Sequence, residues 1–182
     1  SYEDFIEGLR PILDKNDQAQ LTLQNGVFKE FCLSAGKWEI DVFNLHLEKE
    51  WDEIKIIDLL PYKDQLSSPH WDYIFEIENQ NKLISHAIPP FFFIIDEINR
   101  AELSRVFGEL MYCLEYRGVK GCVKTQYANL NTNKTGMLEL GDTYQFFIPS
   151  NIYLIGTMNT IDRSVESFDF ALRRRFSWQE VN

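Results

Sequence analysis

Two acidic residues, Asp96 and Glu97, directly follow the continuous apolar run Phe91-Phe92-Phe93-Ile94-Ile95. A run of that length predicts a strand buried on both faces of a parallel sheet. In open parallel sheets, ligands collect outside the carboxyl ends of the strands. There Asp96 could hold a magnesium ion, directly or through water, and Glu97 could orient or deprotonate an attacking water. A plainer alternative is that Asp96 or Asn99 caps the following helix. The pair alone does not separate the two.

A second apolar run, Ile152-Tyr153-Leu154-Ile155-Gly156, leads through Thr157 and Met158 to Asn159. If the two runs are neighbouring strands, their ends lie side by side, and an amide there can hold a water against a γ-phosphate. A lone asparagine after a strand is also a common turn residue, and Asp162-Arg163-Ser164 could be a polar turn and helix cap. Arg173-Arg174-Arg175 is the third element. Three adjacent guanidinium groups are costly to bury, and a helix C-terminus favours them through its dipole. The functional alternative is an arginine finger reaching a neighbouring subunit's nucleotide, an effect worth roughly 10³–10⁵ in rate. His46, His70 and His86 show no HExxH or comparable ligand spacing, which disfavours metal hydrolase chemistry. Cys32, Cys113 and Cys122 are odd in number and form no CxxC pair, so neither a zinc site nor a disulfide framework is indicated. A reducing cytoplasm fits such a set.

The elements that must position these residues come from 182 residues, a length suited to one domain with a real core. Fourteen Phe, eight Tyr and four Trp argue against disorder, because such a chain can bury enough surface to offset its ordering entropy. With 28 acidic against 18 basic side chains the net charge is −10, which argues against a general nucleic-acid coat. The apolar runs are far short of a membrane span, and no signal peptide is read at the start. Tyr2, Phe5, Ile6 and Leu9 recur at helical spacing, with Pro11 as a stop; a second helix is expected over about 27–35, with Gly36 after it. Trp38 to Val42 alternates like a strand, Glu48 to Leu60 is helix-like, and 37–88 as a whole is expected to be a variable insertion. Leu103, Val106, Phe107, Leu110 and Leu114 predict one helix ended by Gly118. Residues 119–148 predict an excursion containing a hairpin, from β-type runs at 123–127 and 144–148. A short helix over 165–173 closes the order strand, helix, excursion, strand, helix, which is α/β.

Asp96-Glu97-Ile98-Asn99-Arg100, then Gly156-Thr157-Met158-Asn159-Thr160-Ile161-Asp162-Arg163-Ser164, then Ala171-Leu172-Arg173-Arg174-Arg175-Phe176 together resemble the AAA+ domain of McrB-type restriction GTPases. The opening, Ser1 to Pro11, is similar to that family as well. The resemblance implies a P-loop NTPase core, a parallel sheet with flanking helices and a β-hairpin excursion, in a motor that assembles into a ring, expected to be a hexamer. It implies Mg²⁺ with GTP (or ATP), a McrC-like nuclease subunit as partner, DNA contacts through domains outside this chain, and restriction of DNA carrying 5-methylcytosine. Carried over position by position, Asp96 would bind the magnesium shell, Glu97 would polarise the water and Asn159 would sense the γ-phosphate. Asp162 and Arg163 would belong to the nucleotide-site signature, Arg100 would be a trans contact, and Arg174 or Arg175 the finger.

The family's phosphate cradle, GxxxxGK followed by Ser or Thr, does not occur in these residues. The resemblance places it upstream of Ser1 and the helical lid downstream of Asn182, so residues 1–182 are expected to be a partial AAA+ subdomain, inactive alone. It also makes the two apolar runs the third and fourth strands of the sheet, adjacent and parallel, with one face or edge of the fourth left unpaired and apolar. Two alternatives stay open: a MoxR-like or dynein-related ATPase that remodels proteins, and a degenerate, non-catalytic interaction module.

Overall fold

The computed structural model describes residues 1–66, 69–100, 103–159 and 174–180. Helix α1, Tyr2–Phe5, is a single turn capped by the Ser1 hydroxyl. Strands β1 (Glu7–Leu13) and β2 (Ala19–Asn25) then form an antiparallel hairpin. The expected helix through Leu9 therefore stops at Phe5, and Pro11 lies inside a strand. The cause is a period of two: Leu9, Pro11 and Leu13 stand opposite Leu23, Leu21 and Ala19. Cross-strand pairs of this kind hold a hairpin, and a two-stranded ribbon has an outer edge where proline is tolerated.

Helix α2 runs over Val27–Asn44, through Gly36 and through the Trp38 to Val42 stretch expected as a strand. Phe28, Cys32, Ala35, Trp38, Glu39 and Val42 are its buried face, and their spacing is helical. Gly36 does not end the helix because its task is close packing: a Cβ there would lie 2.8 Å from Met137 Cε and 3.0 Å from Pro149 Cγ. The stretch expected as an insertion carries three short helices, α3 (Ile56–Leu59), α4 (Pro69–Phe75) and α5 (Ile84–Ala87). They share a core with the end of α2, in which Trp71, Ile74, Ile56, Leu59 and Ile84 bury Trp38 and Val42.

Strand β3 (Phe91–Ile95) is followed by α6 (Leu103–Phe107) and α7 (Met111–Glu115). The single helix expected over Leu103 to Leu114 is broken, because Gly108 adopts φ +46 and a 3-10 turn spans Gly108–Leu110. Gly118, at φ +79, stands beyond the helix end at Glu115. The excursion does contain a hairpin, β4 (Leu138–Leu140) with β5 (Thr143–Gln145) turning at Gly141. The run at 123–127 contributes only an isolated bridge between Val123 and Phe146. Strand β6 (Ile152–Gly156) pairs parallel with β3, Phe91 opposite Ile152 and Ile95 opposite Gly156. The helix expected over 165–173 lies outside the described residues.

The main core joins Ile6, Phe28, Cys32, Phe107, Leu110, Phe146, Phe147 and Ile148. Phe93 reaches it from β3, its ring 5.0 Å from both Phe28 and Phe31. The two strands are not buried on both faces as expected. Phe92, Ile94, Tyr153 and Ile155 stand on the other face, 45–66% exposed, with the Phe92 and Tyr153 rings stacked at 5.4 Å. Among the described residues, packing comes from one side of the β3–β6 pair only. The resemblance anticipates an unpaired apolar face or edge on the fourth strand; the exposed apolar face spans both β3 and β6. No helix among the described residues is long and apolar enough to cross a membrane.

Candidate functional site at the ends of the parallel strands

The parallel register brings the ends of β3 and β6 level, so the residue after Ile95 and the residue after Gly156 are neighbours. Those residues are Asp96 and Thr157, and the Thr157 hydroxyl donates to Asp96 Oδ1. The same hydroxyl accepts from the Glu97 backbone N–H at 3.2 Å, and Asp96 Oδ1 accepts from that N–H at 3.1 Å. Backbone bonds continue the lacing: Thr157 N–H to Ile95 O at 3.0 Å, Ile98 N–H to Thr157 O at 2.9 Å.

Glu97 has φ +50, a left-handed conformation uncommon for a residue with a side chain. Such backbone persists only where its surroundings over-determine it, and it clusters at functional sites. Here the determinants are the two bonds to the Glu97 N–H and the burial of Ile98 just after it. Gly156 is required by the same close approach, since a Cβ there would sit 2.7 Å from Ile98 Cδ1. Asn99, nearly buried, donates its side-chain amide to the backbone carbonyl of Asn159 at 3.3 Å, tying the second strand's exit to the first.

Asp96, Glu97 and Asn159 are thus assembled at one end of the strand pair, with Asp96 and Asn159 exposed. Thr157 is the member that sequence reasoning missed. It stands inside a run that carries the resemblance, but nothing local marks a threonine after a strand as the residue that holds an acidic pair. Parallel pairing in the observed register is the missing information. The arginines lie elsewhere. Arg175 Nη2 is 2.9 Å and Arg174 Nη2 3.8 Å from Glu115 Oε2 at the end of α7. Asp162 and Arg163 lie outside the described residues, and so does the Arg100 side chain.

A cavity of about 760 Å³ opens between the second half of α2 and residues 117–122, lined among others by Glu39, Phe43, Trp51 and Arg117. Its lining includes none of the candidate residues. Among the described residues no three His, Cys, Asp or Glu side chains are grouped to hold a metal. Magnesium does not need such a cage: it takes one or two carboxylates and completes its shell with phosphate oxygens and water. The exposed Asp96 carboxylate fits that donor set.

Residues 74–176 match the family model of the AAA domain, dynein-related subfamily. Over its whole length the chain is 33% identical to the type IV methyl-directed restriction enzyme EcoKMcrB subunit of Escherichia coli, covering 26% of that protein. Over 132 residues, 65% of the chain, it is 30% identical to the type II restriction enzyme BsuMI component YdiS of Bacillus subtilis, covering 36% of that protein. The chain spans about a quarter to a third of the length of these relatives.

Proposed function

The chain belongs to the AAA domain family, as an McrB-type member of its dynein-related subfamily, and from that premise we propose that it is the catalytic middle of a GTP-hydrolysing restriction motor. One observation carries the reading: Asp96 and Glu97, at the exit of β3, are laced to Thr157 at the exit of β6 beside Asn159. Asp96 would hold Mg²⁺, which neutralises charge developing on the transferred phosphate. Glu97 takes the proton of the attacking water or orients it, and its left-handed backbone fixes where its carboxylate starts. Asn159 supplies an amide that can hold that water or touch the γ-phosphate. Asp162 and Arg163 belong to the same nucleotide site, and Arg100 is a trans contact.

Arg174 or Arg175 acts across the interface of a ring, a hexamer, on a neighbouring subunit's nucleotide. A McrC-like nuclease subunit and DNA carrying 5-methylcytosine are the partner and target of the whole protein, in the cytoplasm. With no GxxxxGK[ST] among the 182 residues, this stretch alone does not bind nucleotide usefully. Titration calorimetry of the isolated chain with Mg-GTP and Mg-ATP checks that point, and micromolar binding would refute it.

The reading itself is tested by competition between GTP and ATP in the full-length protein that contains these residues. Hydrolysis favouring GTP is the expected result. A preference for ATP would move the chain to the protein-remodelling ATPases, a reading the dynein-related family match keeps alive.

A further inference from the structure

Two guanidinium groups meet one carboxylate at the end of α7, and they meet it unequally. Arg175 Nη2 lies 2.9 Å from Glu115 Oε2, with only 12% of the Arg175 side chain exposed. Arg174 Nη2 lies 3.8 Å from the same oxygen, with 61% of its side chain exposed. Phe176, next in the chain, packs against the main core. Glu115 itself stands on a fixed support, since Leu110, Cys113 and Leu114 of the same segment are buried in that core. Ile98, the residue after Glu97, belongs to it too.

A largely buried cation needs a partner, because an uncompensated charge at such a place is strongly unfavourable. Glu115 provides one for Arg175 and at the same time reduces the repulsion between two adjacent positive side chains. Arg174, outside hydrogen-bond distance, is left to point outward.

We propose that Glu115 is the positioning residue of this pair: it anchors Arg175 and leaves Arg174 as the arginine presented to a neighbouring subunit's nucleotide. This rests on the reading of the pair as a trans finger given above. Arg174 is the reaching group, and Arg175 and Glu115 set where it starts.

The test uses the full-length protein and measures kcat and KM with Mg-GTP and Mg-ATP for R174A, R175A, E115Q and E115D. R174A lowers kcat by about 10³-fold or more, as loss of a finger does, with KM little changed. E115Q lowers kcat by about 10- to 100-fold, the scale of a slightly misplaced group, while KM holds; because it leaves the Arg175 charge uncompensated it also lowers the thermal midpoint. E115D, which keeps the charge, restores part of that loss. Wild-type kcat in E115Q beside a defective R174A would overturn the positioning role. An active R174A beside an inactive R175A would overturn the order of the two arginines. Wild-type turnover in both arginine variants would instead remove the trans-finger reading on which the inference rests. E115Q is nearly isosteric, so its kcat is readable where a larger truncation would disturb the fold.

Discussion

The backbone N–H of Glu97 lies 3.2 Å from the hydroxyl oxygen of Thr157, across the paired ends of β3 and β6. One small side chain thus holds both members of the acidic pair, because that hydroxyl also donates to Asp96. The left-handed turn at Glu97 is fixed by the neighbouring strand together with the Asp96 carboxylate just before it.

Thr157→Val removes the hydroxyl and keeps the shape. Turnover of the full-length protein should fall by about 10- to 100-fold, because a reacting group displaced by an ångström loses that much. Thr157→Ser should retain most of the rate. Steady-state hydrolysis of both variants, beside wild-type thermal midpoints, checks this. Equal rates in Thr157→Val and wild type would mean that the lacing is structural only.

Gly156→Ala places a methyl group 2.7 Å from Ile98 Cδ1, in a contact that the buried Ile98 cannot readily vacate. Overpacking of that kind costs about 1–3 kcal/mol. A lowered thermal midpoint together with lost turnover is the expected outcome, since Ile98 follows Glu97 directly. A neutral variant would show that the strand ends relax freely.

Glu7 and Lys29 form an ion pair that is almost completely shielded from water and also draws in Asn131, whose amide donates to Glu7 at 3.1 Å. The pair ties β1 to α2. Lys29→Met leaves a buried carboxylate uncompensated, at a cost of about 3–5 kcal/mol. Adding Glu7→Gln to that variant should recover a large part of the loss. Thermal or denaturant unfolding of the single and double variants decides it, and a double variant no better than the single would contradict it.

Much of the site is legible in the amino-acid sequence. Two apolar runs, one ending at Asp96-Glu97 and the other just ahead of Asn159, read as strands, and the family resemblance makes them adjacent and parallel, as β3 and β6 are. What is not legible depends on contacts distant in sequence. Gly36 reads locally as a helix stop and is instead a packing residue against Met137 and Pro149. Trp38 to Val42 alternates by chance, while its burial follows the helical face of α2. Leu9 and Pro11 read as the end of a helix until the register with Leu23 and Leu21 is known. Thr157 owes its place to the β3–β6 pairing alone.

Two buried carboxyls give the fold opposite pH dependences. Burial raises the Glu7 carboxyl, but hydrogen bonds from Lys29, Thr125 and Asn131 and the Lys29 charge outweigh it and hold Glu7 below its ordinary 4.5. Its contribution is complete above the ordinary value and is lost as pH falls through the lowered one. Burial raises the Glu39 carboxyl above 4.5, despite bonds from Val119 N–H and from the Ser150 N–H and hydroxyl. As pH rises past that value the unfolded chain ionises first, so the cost to stability grows until the folded form ionises too and persists in full above that point. Glu39→Gln removes that titration and keeps an acceptor. The midpoint of the variant relative to wild type should therefore climb as pH rises past the ordinary 4.5. A pH-independent difference would contradict the assignment.

The most direct test of the site is Glu97→Gln in the full-length protein, with nucleotide binding and turnover measured side by side. If Glu97 activates the attacking water, the variant binds Mg-GTP with wild-type affinity while its turnover is nearly abolished. Turnover at the wild-type rate would contradict the account.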